Sequence, residues 1–271
     1  MELITILIMS VIIIVILAVL VKFNLKNIKL IKQIGEDKNL NEITNALPEN
    51  EEICKQILKM LNNETVNIKI GSDNSQSSLY IVATNSIYIA NIKNTFTRVQ
   101  TIAHECIHSI QDKQLLWFNF IFSNIYLIYF VITTILSAFN KLPNKNVFAI
   151  ILIMMSMLLY FIRSYIETDA MIKAKFLAKQ YMEENQEAID KDKIKIIIEN
   201  YDRLNSIGIK YYNYKLIFDY LSKIIIFCVV SIIETFGDGL ILFQFWNIKR
   251  TVLKIKNLRP SLIFVKLIQW N

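Results

Sequence analysis

This chain is short of the residues that usually advertise a stapled or repetitive fold. Its three cysteines, Cys54, Cys106 and Cys228, are odd in number and scattered over 271 residues. That excludes a disulfide framework and points to a reducing compartment. There is no internal repeat and no low-complexity tract beyond a general richness in Ile, Asn and Lys. The first apolar run has no basic region before it and no small-residue cleavage site behind it, so it does not read as a secretory signal. The formal charge is +7 and the pI about 9.1, yet no basic face with aromatic platforms accompanies them, which argues against a nucleic-acid partner. The chain also has only two histidines.

What it has in excess is apolar length. Leu3 to Val21, Trp117 to Phe139 and Val147 to Ile162 are runs long enough to cross a bilayer. The second and third are joined by Lys141-Leu142-Pro143-Asn144-Lys145-Asn146, a short polar turn suited to a hairpin. A fourth run, Ile224 to Trp246, is interrupted by Glu234 and by Gly237-Asp238-Gly239. It either spans once or re-enters. The fold class expected is a mainly α, polytopic membrane protein with a small β-hairpin or sheet. Its expected divisions are an anchor (1–21), a polar part (22–116), a transmembrane hairpin (117–162), polar helices (163–222), the fourth membrane segment (223–247) and a basic tail (248–271). Lys22, Lys26, Lys29 and Lys32 after the first run, and Arg163, Lys173, Lys175 and Lys179 after the third, put both polar parts on the cytoplasmic side of a cell membrane. These flanks explain most of the positive charge, with anionic lipid headgroups as its partner.

Within 22–116, residues 22–34 read as a basic amphipathic helix and Glu49 to Asn62 as a helix with Ile53, Ile57, Leu58 and Leu61 on one face. Val66 to Ile70 alternates as a strand does, and Gly71 to Gln76 is turn-rich. Leu79–Ala83 and Ile87–Ala90 suggest a hairpin around Asn85-Ser86. A helix capped by Asn94 or Thr95 is expected to run to about Lys113 and on into the second span. Ile87–Ala90 is a candidate free edge on which an extended peptide could pair, or an ordinary sheet strand.

That last helix holds both histidines, as His104-Glu105-Cys106-Ile107-His108. Four residues apart on a helix, the two imidazoles share a face and can reach one Zn²⁺. Glu105, about 100° round, can act as general base on an activated water. Cys106 lies about 200° from His104 and suits packing. Catalytic zinc takes three protein ligands and leaves one position open. With both histidines used, the third is a carboxylate or a thiolate. Glu167, where the third span ends, is the best-placed candidate, because a short-turned hairpin returns it to the motif. Its alternative role is a surface pair with Arg163. Asp169 faces largely away and suits contact with a neighbouring helix. Tyr165 and Arg163 are candidates for a transition-state donor, or for interfacial anchoring.

His-Glu-Cys-Ile-His-Ser-Ile-Gln (104–111), followed across a transmembrane hairpin by Ile-Glu-Thr-Asp-Ala (166–170), resembles the YugP-type bacterial membrane zinc metallopeptidases. These share a gluzincin-like site with the CAAX-protease and HtpX-type membrane enzymes. The resemblance covers about two thirds of the chain. It implies one Zn²⁺ per chain on His104, His108 and Glu167, Glu105 as catalytic base, and a peptide or membrane protein as substrate. Two positions depart from the pattern. Ile107 stands where the family usually has Gly, and Met171 where the HtpX-type pattern has an Asp four residues after the Glu. Rival readings are a zinc-containing membrane sensor or regulator and a non-catalytic scaffold or transport subunit, the latter drawing on Glu234 and Asp238.

Overall fold

The computed structural model describes residues 2–20, 30, 33–34, 37–71, 78–90, 95–185 and 189–236. In chain order the elements are α1 (Glu2–Leu20), α2 (Lys38–Asn45), α3 (Asn50–Met60), β1 (Asn67–Ile70), β2 (Leu79–Ile81), a 3₁₀ turn (Val82–Thr84), β3 (Ser86–Ile89), α4 (Arg98–Ile110), α5 (Lys113–Ala138), α6 (Lys145–Glu184) and α7 (Lys191–Phe236). The chain divides into two compact units. One comprises residues 1–18, 119–161 and 215 onward, the other 19–118 and 162–214.

The first unit is apolar. α1, α5, α6 and α7 are each long and apolar enough to cross a membrane. Bulky side chains such as Val15, Ile128 and Met154 are more than half exposed on them, as helices surrounded by hydrocarbon would be. Where these helices meet, several buried neutral polar groups pair with one another. Ser137 and Ser231 share a hydrogen bond of 2.7 Å, and Tyr126 and Ser156 one of 2.9 Å. The turn between α5 and α6 is the expected one. Asn140 and Asn144 adopt left-handed backbone (φ 52° and 47°), which asparagine tolerates better than most residues. Lys141 N–H closes the end of α5 on the Leu136 carbonyl.

The second unit is built round one core. α3 contributes Ile53, Cys54, Ile57 and Leu58, and α4 contributes Val99, Ile102, Ala103, Cys106 and Ile107. From α6 come Ile166, Ala170, Ala174, Leu177, Ala178, Tyr181 and Met182, and from α7 Ile194, Ile197 and Tyr201. Ala170, Ala174 and Ala178 are wholly buried and recur every four residues, so α6 meets this core along a row of methyl groups. Ile107, where the resembled family has glycine, is itself a core residue at 4 % exposure. α2 was not expected from the sequence. It is capped by Asp37, whose carboxylate accepts from the Asn39 and Leu40 N–H groups.

Three expectations need correction or extension. Ile87–Ala90 is not a free edge, because the sheet order is β1-β3-β2. β1 pairs parallel to β3 and β2 pairs antiparallel to it. β3 takes the centre because it is the most apolar and most buried strand: Ser86, Ile87 and Ile89 are all within 1 % of full burial. β1 and β2 are the edges. The motif helix also does not run into the second span. It stops at Ile110, and α5 starts anew at Lys113 with the Asp112 carboxylate accepting from the Gln114 and Leu115 N–H groups. Asp before an apolar run is an N-cap signal, and here it restarts the helix. At its other end α4 begins after Thr97, beyond the expected Asn94 or Thr95. α7 runs unbroken to Phe236, so Ile224 lies inside a helix that began at Lys191. Asn94, the Gly-Asp-Gly interruption, the basic tail, residues 72–77 and nearly all of 22–34 lie outside the described residues.

Candidate metal centre

α4 lies within the second unit with its apolar face in the core. His104 and His108, four residues apart, share a flank beside that face, His108 nearly buried and His104 half-buried. Their rings meet edge to face with centroids 4.6 Å apart, and their Nε2 atoms are 3.0 Å apart. Glu167 reaches the same point from α6. Its Oε2 lies 3.4 Å from His104 Nε2 and 3.8 Å from His108 Nε2.

Those three separations carry a chemical test. Tetrahedral zinc with bonds of about 2.0–2.2 Å holds its ligand atoms about 3.3–3.6 Å apart. The observed 3.0, 3.4 and 3.8 Å bracket that range, and two imidazoles with one carboxylate are a donor set that suits zinc. The residues present therefore fit a metal ion, with one tetrahedral position left for water.

Glu105 is 6 % exposed. Its Oε2 accepts a 2.6 Å hydrogen bond from the backbone N–H of Tyr80. Tyr80 sits on β2, an edge strand, so the amide that holds the carboxylate points off the sheet and away from β3. The ring of Tyr80 is fixed in turn, its hydroxyl donating to Asn85 Oδ1 at 2.9 Å. Cys106 faces the opposite way, fully buried, with its Sγ 3.7 Å from that of Cys54. Burial pushes its thiol well up, and it packs as expected.

Burial alone pulls the His108 pKa down. The hydrogen bond and charge of Glu167 outweigh this, with Glu105 and Gln111 adding, and lift it to about 9.

Among the remaining candidates, Asp169 does not touch the ligand atoms. It accepts from Gln111 Nε2 at 2.9 Å and pairs with Lys173 Nζ at 2.8 Å. Tyr165 is 64 % exposed on α6 and Arg163 is half-buried. Sequence reasoning passed over Gln111, whose Oε1 meets His108 Nδ1 at 2.8 Å and whose Nε2 also donates to the Ile166 carbonyl at 2.8 Å. The available signal was its place one helical turn after His108. No protein-family profile, curated protein or solved structure matches the chain.

Proposed function

We propose that the protein is a membrane-bound zinc metallopeptidase of the kind its motifs resemble, cleaving a peptide or membrane-protein substrate at the cytoplasmic membrane face. The observation that carries this reading is the convergence of His104, His108 and Glu167 at ligand spacing beside a buried carboxylate, Glu105. Zinc held there would acidify a bound water to a pKa of about 7 and polarise a carbonyl. Glu105, anchored by the Tyr80 amide, accepts a proton from the attacking water. It then returns that proton to the amine nitrogen as the C–N bond breaks, so water is added across the peptide bond. The low exposure of Glu105 and His108 keeps bulk water away from the carboxylate that moves the proton.

Elemental analysis of the full chain in detergent tests this directly. About one zinc per chain is expected, with most of it lost in Glu167→Ala. Glu105→Gln should keep the zinc and lose peptide hydrolysis by several orders of magnitude. Wild-type protein that is folded and free of zinc, or a Glu105→Gln variant that cleaves normally, would overturn the reading.

A further inference from the structure

We propose that Gln111 is the residue that positions His108 for the metal, and that Asp169 holds Gln111 to that task; this rests on the zinc reading above. Gln111 meets three partners: the Ile166 carbonyl, the Asp169 carboxylate and His108 Nδ1. A backbone carbonyl and a carboxylate only accept, so both N–H groups of the amide must face them, at 2.8 and 2.9 Å. That leaves the amide oxygen for His108, 2.8 Å from Nδ1. An oxygen can only accept, so Nδ1 carries the hydrogen. The lone pair available for a metal is then on Nε2, the atom that lies 3.0 Å from His104 Nε2 and 3.8 Å from Glu167 Oε2. The acceptors on α6 thus decide which nitrogen of a histidine on α4 can bind a metal, and the amide passes that decision across.

The same side chain joins the two elements that supply the ligands. Gln111 closes α4, its own N–H donating to the Ile107 and His108 carbonyls, while its amide grips α6 at Ile166 and Asp169, on either side of Glu167. The acid that steadies the site therefore comes two residues after the ligand and acts through an amide. Four residues after the ligand there is Met171. Groups that hydrogen-bond a metal's histidine ligand in this way typically change metal affinity about 10–100-fold when removed.

The test uses full-length protein in detergent, with zinc affinity measured by chelator competition and the visible spectrum of Co²⁺ recorded at saturation. Gln111→Ala should bind zinc about 10–100-fold more weakly, with a shifted Co²⁺ spectrum, since His108 is no longer held. Gln111→Met, which fills the same volume, should behave alike if the alanine variant folds poorly. Asp169→Ala should weaken zinc less, and adding it to Gln111→Ala should cost nothing further. Asp169→Asn, which still accepts a hydrogen bond, should restore most of the affinity. Wild-type affinity and spectrum in both Gln111 variants, or fully additive losses, would overturn this inference alone. A wild type that binds no zinc would overturn the reading beneath it as well.

Discussion

Two buried polar clusters in the second unit follow opposite rules. Arg98, fully buried on α4, is a donor surrounded by acceptors. Its terminal nitrogens reach the Thr44, Leu47 and Pro48 carbonyls and Asn50 Oδ1 at 2.6–3.0 Å. Those carbonyls lie at and just after the C-terminal end of α2, where a helix presents unsatisfied oxygens and partial negative charge. Burial pulls the Arg98 pKa down, but each terminal nitrogen has two acceptors, and only Nε is buried without a partner. Two turns along the same helix, His104, His108 and Glu167 aim three lone-pair-bearing atoms at one another. A cluster in which donors meet acceptors stabilises a fold, whereas one whose lone pairs converge is near enough to hold a metal ion. Burial alone does not tell the two apart; the direction of donors and acceptors does.

Breaking the closed cluster should have the larger effect on folding. Arg98→Met leaves three carbonyls without their donor and is expected to cost about 3–5 kcal/mol in denaturant unfolding of the metal-free protein. Arg98→Lys should recover only part, because one ammonium cannot span acceptors on two sides. A loss below about 1 kcal/mol would mean that water replaces the guanidinium and that the two clusters do not differ in their part in folding. The open cluster is sharpened by pH. The His108 pKa is about 9 in the folded, metal-free protein and about 6.5 unfolded. Being raised on folding, it contributes stability that is complete below pH 6.5 and disappears as pH climbs through 9. The contribution is on the order of 3 kcal/mol. Zinc affinity should run the other way, rising over the same interval as the competing proton leaves. Parallel rather than opposed pH profiles would show that His108 does not exchange a proton for the metal. The smallest effect is expected in the apolar unit. Ser137→Ala removes one neutral hydrogen bond, to Ser231, and should cost about 0.6 kcal/mol in unfolding within lipid or detergent.

Much of this was legible in the chain because its strongest signals are local. Apolar runs and the Asn-containing turn announced the long helices. The four-residue spacing of the only histidines announced a shared face, and the hairpin between spans brought Glu167 into consideration. What escaped were relations between distant segments. Nothing in Ile87–Ala90 reveals that Asn67–Ile70 will pair alongside it in parallel, so the sequence leaves edge and interior strand equally open. Arg98 reads as an ordinary charged residue at the start of a helix until the carbonyls 50 or so positions earlier are placed around it. Gln111 carries no charge and no metal-ligand chemistry, and its use depends on which way three neighbours face. Asp112 is different: its capping signal was readable, but the continuous apolar character on either side obscured it.

On the zinc reading proposed above, the alanines of α6 would have a consequence for ion choice. Helices approach one another to about 8–10 Å, a distance set by the side chains at the contact. Ala170, Ala174 and Ala178 hold α6 at a short stand-off from the core. Glu167 stands on that helix, so the width of the ligand triangle depends on how closely those methyl groups let α6 approach. Enlarging one of them, as in Ala170→Val, would lift the carboxylate outward by a fraction of an ångström. The gap would then move from the bond lengths of zinc towards the 2.3–2.6 Å preferred by larger, harder cations. On that zinc reading, the choice of ionic radius would be recorded in the smallest side chains of this core.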